Sequence, residues 1–144
     1  MRCAIPNCKG LGIKGESDLI AVTKSSFVHE FEIKCSVSDL KRDVKDKVKK
    51  HKVLEAYHRS LSSYRKNEPP NYFWIVCPED VYEKGKDFIP EYAGIMKAKD
   101  SDFMGYILKT VKDAPRLHSD SMSTRLQNYI MRGLSYRFWD LNDC

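Results

Sequence analysis

The spacing of apolar residues divides the chain into strands and helices. Residues 1–16 read as a strand fragment followed by a turn, with Gly10, Gly12 and Gly15 close together. Residues 18–23 (DLIAVT) are an apolar run of strand length, and Lys24-Ser25-Ser26 is a tight turn. Residues 27–34 (FVHEFEIK) then alternate. Phe27, His29, Phe31 and Ile33 fall on one side, and Val28, Glu30, Glu32 and Lys34 on the other. Two such runs around a short turn predict an antiparallel hairpin. Ser36 or Ser38 supplies a helix N-cap, and Asp39 suits the positive helix end. Leu40, Val44, Val48, His51, Leu54, His58 and Leu61 recur every three or four residues. They predict one long helix, which must stop before Glu68-Pro69-Pro70.

The aromatic and apolar run at 71–77 (NYFWIVC) predicts a buried central strand. A helical crossover leads to it, so it is expected parallel to 27–34. Residues 80–91 read as a polar connection, and 92–98 and 104–111 as further strands. Residues 114–118 are irregular. Ser121 or Ser123 caps a final helix carrying Leu126, Ile130, Leu134 and Phe138. The result is an α/β fold with a mixed central β-sheet flanked by helices. A length of 144 residues fits one domain covering 1–144.

Composition supports a globular chain: 42% of residues are hydrophobic and 31% charged. No stretch approaches the roughly 20 apolar residues that cross a bilayer. The N-terminal MRCAIPNCKG lacks the apolar core of a secretory signal, so a cytoplasmic protein without membrane contact is expected. The five cysteines are odd in number and scattered, which argues against a disulfide framework. Cys3 and Cys8 lack a second Cys/His pair to complete a zinc site.

Charge is concentrated. Residues 41–52 (KRDVKDKVKKHK) hold seven Lys/Arg against two Asp, and their net +5 equals the excess of the whole chain. Lys41, Arg42, Lys45, Lys49, Lys50 and Lys52 are therefore candidates for DNA phosphate contact; a solvated helix face is the rival reading.

The candidate chemistry is Asp18 followed by Glu32-Ile33-Lys34. Glu32 and Lys34 are two apart on a strand and share a face. The hairpin brings Asp18 toward them. Two carboxylates and an ammonium suit phosphodiester cleavage. Asp18 and Glu32, with the Ile33 carbonyl, would hold Mg²⁺ (Mn²⁺ as substitute), and Lys34 would orient the attacking water. Asp39-Leu40-Lys41 and Asp43-Val44-Lys45 repeat the pattern, but in a helix that spacing splits the side chains. Glu30 shares the face of Glu32, either as a further acid or as an exposed glutamate. His51 lies on the helix stripe, as a hydrogen-bonded core histidine or a phosphate contact. Tyr72, Phe73 and Trp74 read as core packing in preference to base stacking. Arg116 and His118 read as loop residues near phosphate or as plain surface.

These segments, in order (GESDLIAVT, FVHEFEIKCSVSDLKRDVKDKVKKHK, PNYFWIVCPED, PEYAGIMKAKD and VKDAPRLH), resemble MmcB-type proteins of the PD-(D/E)XK nuclease-like superfamily. That branch is associated with DNA repair, phages and plasmids. The resemblance spans roughly residues 15–118. It implies a restriction-endonuclease-like core and a metal-dependent DNA nuclease. Its metal-binding acid falls on Asp18, here preceded by Ser17 and not proline, and its Glu-x-Lys on Glu32 and Lys34. Glu16 and His51 become helpers, and Asp39, Asp43 and Lys50 match polar helix positions. The N-terminal helix that often supplies another carboxylate is largely missing. DNA is the expected partner, with a homodimer as a permitted assembly. The alternative is a DNA-binding module that keeps the fold without turnover; a protein-interaction subunit is a third reading.

Overall fold

The computed structural model describes residues 3–9, 16–60, 68–101 and 105–142. The glycine turn at 10–15, Leu61, Met104 and the side chain of Phe138 lie outside the described residues. The elements are β1 (Cys3–Lys9), β2 (Glu16–Val22), β3 (Val28–Ile33), α1 (Val37–Asp46), α2 (Val48–His58), β4 (Tyr72–Pro78), α3 (Glu79–Gly85), β5 (Ala93–Ser101), β6 (Gly105–Lys112) and α4 (Thr124–Asn142). A short 3₁₀ turn, Lys86–Phe88, follows α3.

The six strands form one sheet in sequence order. β1, β2 and β3 run antiparallel, β4 and β5 run parallel to β3, and β6 returns antiparallel. The expected hairpin and the parallel crossover are both present. In the hairpin turn the Thr23 N–H donates to Phe27 O at 2.9 Å, and Ser26 adopts φ +61°.

Register fixes which side of the sheet is covered. Ile5 pairs with Ile20, Ile20 with Glu30, Glu30 with Phe73 and Phe73 with Ala93. Directly paired residues share a face. Leu40 of α1, Leu54 of α2 and Val81 of α3 pack on Phe73, Ile75, Cys77 and Ala93. Leu126 and Ile130 of α4 pack on Ile5, Ile20, Val22 and Val28. Every described helix therefore lies on one face, and Glu30 stands between the two apolar clusters.

Several expectations change. The long helix breaks at Lys47 (φ −104°, ψ 37°), which ends α1 and precedes α2. Val44 and Val48, placed on the apolar stripe by their spacing, are exposed. The polar connection at 80–91 contains α3, whose Val81 enters the core. The caps are as expected: Ser36 Oγ accepts from the Asp39 N–H at 3.1 Å, and Ser123 Oγ from the Leu126 N–H at 3.1 Å.

Asn71 ties the end of the sheet together. Its Oδ1 accepts from the Val28 N–H at 2.7 Å, and its Nδ2 donates to the carbonyls of His118 at 3.1 Å and Asp120 at 2.8 Å. The segment after β6 then passes close to β5. A Cβ at Gly94 would stand 2.4 Å from the Trp74 ring and 2.6 Å from the Ala114 nitrogen. Gly94→Ala is expected to destabilise the fold by about 1–3 kcal/mol, the usual cost of overpacking. The shift of the urea midpoint at unchanged slope measures it.

Candidate functional site

The helix-covered face of β3 carries Glu30, Glu32 and, just beyond the strand, Lys34. All three are buried. Paired polar groups are the only ones stable in such a place. Their partners come from α1 and α2. Asp43 follows Leu40 by three, Lys47 follows Asp43 by four, Lys50 and His51 follow Lys47 by three and four, and Leu54 follows them by four and three, so all look inward on the same stripe.

Lys34 Nζ donates to Asp43 Oδ1 at 2.6 Å and to Glu32 Oε2 at 3.1 Å. Lys47 Nζ donates to Glu32 Oε2 at 2.7 Å and lies 3.2 Å from Asp43 Oδ1. Lys50 Nζ bridges Glu30 Oε1 and Glu32 Oε1, both at 2.5 Å. Three carboxylates thus meet three ammonium groups. Ser17 Oγ also donates to Glu30 Oε1, at 2.5 Å. Among the described residues, Glu30 Oε2 has no hydrogen-bond partner. His51 closes the other end, with Nε2 2.8 Å from Asp43 Oδ2 and Nδ1 2.5 Å from the Tyr92 hydroxyl.

Electrostatics follow the geometry. Burial by itself raises the pKa of Glu32, but Lys50, Lys47 and Lys34 outweigh it and hold the carboxyl below its usual range. Asp43 is pushed down further against the same burial penalty, by hydrogen bonds from His51 and Lys34. Burial works against the charge of Lys34 and Lys47 as well. Asp43 and Glu32 overcome it for Lys34, and Glu32 and Asp43 for Lys47, so both ammonium groups titrate above the usual lysine range. Burial pushes the Tyr92 phenol up, helped by Glu55 and Asp43.

Asp18 takes a different place. Ser17 and Ile20 both point to the covered face although they are three apart, so strict alternation fails between them. Asn7, on the neighbouring strand, has φ +47°, and the β1–β2 pairing skips Asn7 and Asp18. The Asp18 carboxylate swings to the strand edge, where Oδ2 accepts from the Ile33 N–H at 2.7 Å. It therefore reaches the Glu32–Lys34 segment through its backbone. The side chain that β2 delivers to the acid cluster is that of Ser17.

The donor chemistry of Asp18 and Glu32 is that of a Mg²⁺ site, but their arrangement here does not fit one. Mg²⁺ needs carboxylate oxygens with room for water and substrate around it. Both Glu32 oxygens are held by ammonium groups, and the side chain is 1% exposed. The Ile33 side chain is exposed, and Glu16 stands on the surface of β2.

The basic set divides. Lys50 is a buried ion-pair partner, which removes it from the phosphate-contacting candidates. Lys41, Arg42, Lys45, Lys49 and Lys52 are exposed as expected. Arg42 is engaged by Asp39 at 3.5 Å and Asp46 at 4.0 Å. His51 and Asp43 are core groups and not surface ones. Glu30 is buried, which settles its two readings against exposure. Phe73 and Trp74 are buried and Tyr72 half-buried. Arg116 is exposed over the Phe27 ring, and His118 is a loop anchor whose Nε2 lies 3.0 Å from the Pro69 carbonyl. Cys3, Cys35 and Cys77 are free thiols, and no described helix is long and apolar enough to cross a membrane.

Deleting one member of a buried ion network strands its partners. Lys50→Ala should cost about 3–5 kcal/mol by denaturant unfolding, whereas Lys49→Ala, on the surface, should stay within about 0.5 kcal/mol. The pH profile is also fixed. Glu32 and Asp43 have folded pKa values below their unfolded ones, so the unfolded chain takes up more protons in acid. Their contribution is complete above about pH 5 and is lost as pH falls through the unfolded and then the depressed folded values. Lys34 and Lys47 are raised, so theirs is complete below about pH 10 and is lost as pH rises beyond. Thermal melting across pH should show a neutral plateau falling at both ends. A profile unchanged by Lys50→Ala at its acid limb would contradict this origin.

No family model matches the chain, and no curated protein matches it. A solved structure does share its fold: the "SPO1766 protein of unknown function from Silicibacter pomeroyi", at TM-score 0.63 and 14% sequence identity, over 97% of this chain and 79% of that one. At that identity the likeness carries the mixed α/β architecture.

Proposed function

We propose that the chain binds DNA through the outer surface of α1 and α2, as a module of the PD-(D/E)XK nuclease-like type. The observation that carries this reading is the sorting of the basic segment. Lys50 and Lys47 turn inward to neutralise buried acids, while Lys41, Lys45, Lys49 and Lys52 remain on the surface at three- or four-residue spacing. A row of surface ammonium groups with few acids beside it attracts a phosphate backbone and releases its counterions. The buried cluster gives that surface a fixed base, because α1 and α2 are pinned to β3 by ions.

The second reading is metal-dependent cleavage of the phosphodiester, with Mg²⁺ or Mn²⁺ as cofactor. It is favoured by the meeting of Asp18, Glu32 and Lys34 at one end of β2 and β3, with Asp18 hydrogen-bonded to the peptide between the other two. It requires the lysines to leave Glu32, since a carboxylate held by ammonium groups has no oxygen to offer. A repair or mobile-element setting in the cytoplasm belongs to the same proposal.

One experiment separates these readings. Binding to duplex DNA is measured against salt, and cleavage on single-stranded, duplex, flap and junction DNA with and without Mn²⁺. Binding is expected to weaken with salt. Replacing Lys41, Lys45, Lys49 and Lys52 by Ala should lower the log–log salt slope by about 0.9 for each phosphate that is no longer neutralised. A slope unchanged by those substitutions overturns the binding surface. Metal-dependent cutting that Lys34→Ala abolishes would establish the second reading instead.

A further inference from the structure

The sheet face opposite the helices carries no helix among the described residues; Ala114 covers it at Gly94, where Trp74 is buried, and it opens toward β3 and β6. Its positions follow from register. Leu19 pairs with Phe31, Phe31 with Trp74 and Trp74 with Gly94. Val76 pairs with Met96, and Ala98 with Leu108. The face is apolar from β2 to β6. Between Leu19 and Leu108 its described strand positions carry no lysine, arginine or glutamate, and Asp100 stands near the end of β5. At its centre, where β3 meets β4, four rings lie nearly parallel. His29 stacks on Tyr72 with centroids 4.4 Å apart and 19° between planes, and Phe31 faces Trp74 at 6.0 Å and 12°. The Trp74 indole donates to His29 Nδ1 at 3.0 Å. Toward the rim the apolar side chains are openly exposed: Ile33 by 48%, Leu108 by 56% and Tyr106 by 76%.

We propose that this face is the contact between two copies of the chain, packed sheet to sheet about a two-fold axis near the His29–Trp74 ring cluster. The size is adequate. Four strand spacings of about 4.8 Å and six residues of about 3.3 Å give a footprint of about 380 Å², before side-chain relief is counted. That lies within the range of the largest apolar patches on monomers, and the exposed side chains of Ile33, Tyr106 and Leu108 bring it toward the about 800 Å² per partner of a stable interface. Charge selects the occupant. Nucleic acid needs cations, and this face has none among its described strand positions. A two-fold interface sets each patch against itself, so a net charge on it would repel; here the Asp100 carboxylate and the Arg116 guanidinium over Phe27 stand at the margins with opposite signs, and the apolar centre meets its own copy without net repulsion. Burial lowers the His29 pKa, which keeps the central imidazole uncharged at neutral pH. Two sheets stacked about 10 Å apart would interdigitate the ring rows. The basic surface of α1 and α2 stays free on both outer sides.

Sedimentation equilibrium of the intact chain from about 1 to 100 µM tests this. The parent chain and Val48→Lys, altered on the helix side, should sediment as dimers. Ile33→Lys combined with Leu108→Lys should raise the dissociation constant at least about 100-fold, with the far-UV circular dichroism of the parent. If the double variant fails to fold, Leu108→Lys alone gives the reading, because that side chain lies on an edge strand and is more than half exposed. A parent chain that stays monomeric throughout the range, or a folded face variant that dimerises as tightly as the parent, overturns the proposal. A monomeric chain whose Trp74 fluorescence responds to single-stranded DNA overturns it too, in favour of a base-stacking surface.

Discussion

Three buried carboxylates and three ammonium groups, those of Lys34 and Lys50 buried and that of Lys47 half-buried, hold this structure together where its two apolar clusters meet. Glu30 and Glu32 project from β3 into the covered side of the sheet, a place that ordinarily takes Val or Ile. Each charge there is costly alone and stable only with its partner. The partners sit on α1 and α2, so those helices can dock in one register only. A Leu40–Leu54 stripe by itself would tolerate sliding. Lys47 and Lys50 must each find a carboxylate oxygen, and Asp43 must reach Lys34 and His51 together. The ion cluster thus supplies specificity of docking, and the apolar clusters on either side supply most of the driving force.

That division of labour decides what the helix surface can do. The same twelve-residue segment provides both the buried and the exposed cations. Inward lysines are committed to Glu30 and Glu32, and outward ones face solvent on a support that does not shift. A chain with a purely apolar α1–α2 seam would present the same surface charges on a less fixed base. The sheet divides likewise: one face is given to helices and ions, and the other is left without helices among the described residues, apolar at its centre and rich in parallel rings.

Much of the fold was legible in the chain. The hairpin around Lys24–Ser26, the Ser36 and Ser123 caps and the parallel strand at 71–77 follow from local patterns, because turn chemistry, caps and crossovers are short-range. The break at Lys47 was not legible. Neither was the irregularity at Asn7 and Asp18, where a single left-handed residue reverses which side chains face inward; strict alternation sends Asp18 inward and puts Ser17 outside. Glu30, Glu32 and Lys34 share one face as their alternation implies, but from the strand alone Glu32 and Lys34 read as a metal-dependent centre, and Glu30 as a further acid or an exposed glutamate. The missing signal was on the helix: Leu40, Asp43, Lys47, Lys50, His51 and Leu54 share one stripe. Charged residues at core spacing opposite strand glutamates mark a buried ion network. Val44 and Val48 drew attention to the wrong stripe because β-branched apolar residues weigh more than charges in such a pattern.

The docking of α1 and α2 depends on Glu32 being committed to lysines. Lysine side-chain nitrogen NMR on the intact protein tests this directly. Lys34, Lys47 and Lys50 should give ammonium signals protected from exchange with water, and millimolar Mg²⁺ should leave them unmoved. Signals lost to fast exchange, or displaced by Mg²⁺ in a way that Glu32→Gln abolishes, would contradict it and return Glu32 to the role of a metal ligand.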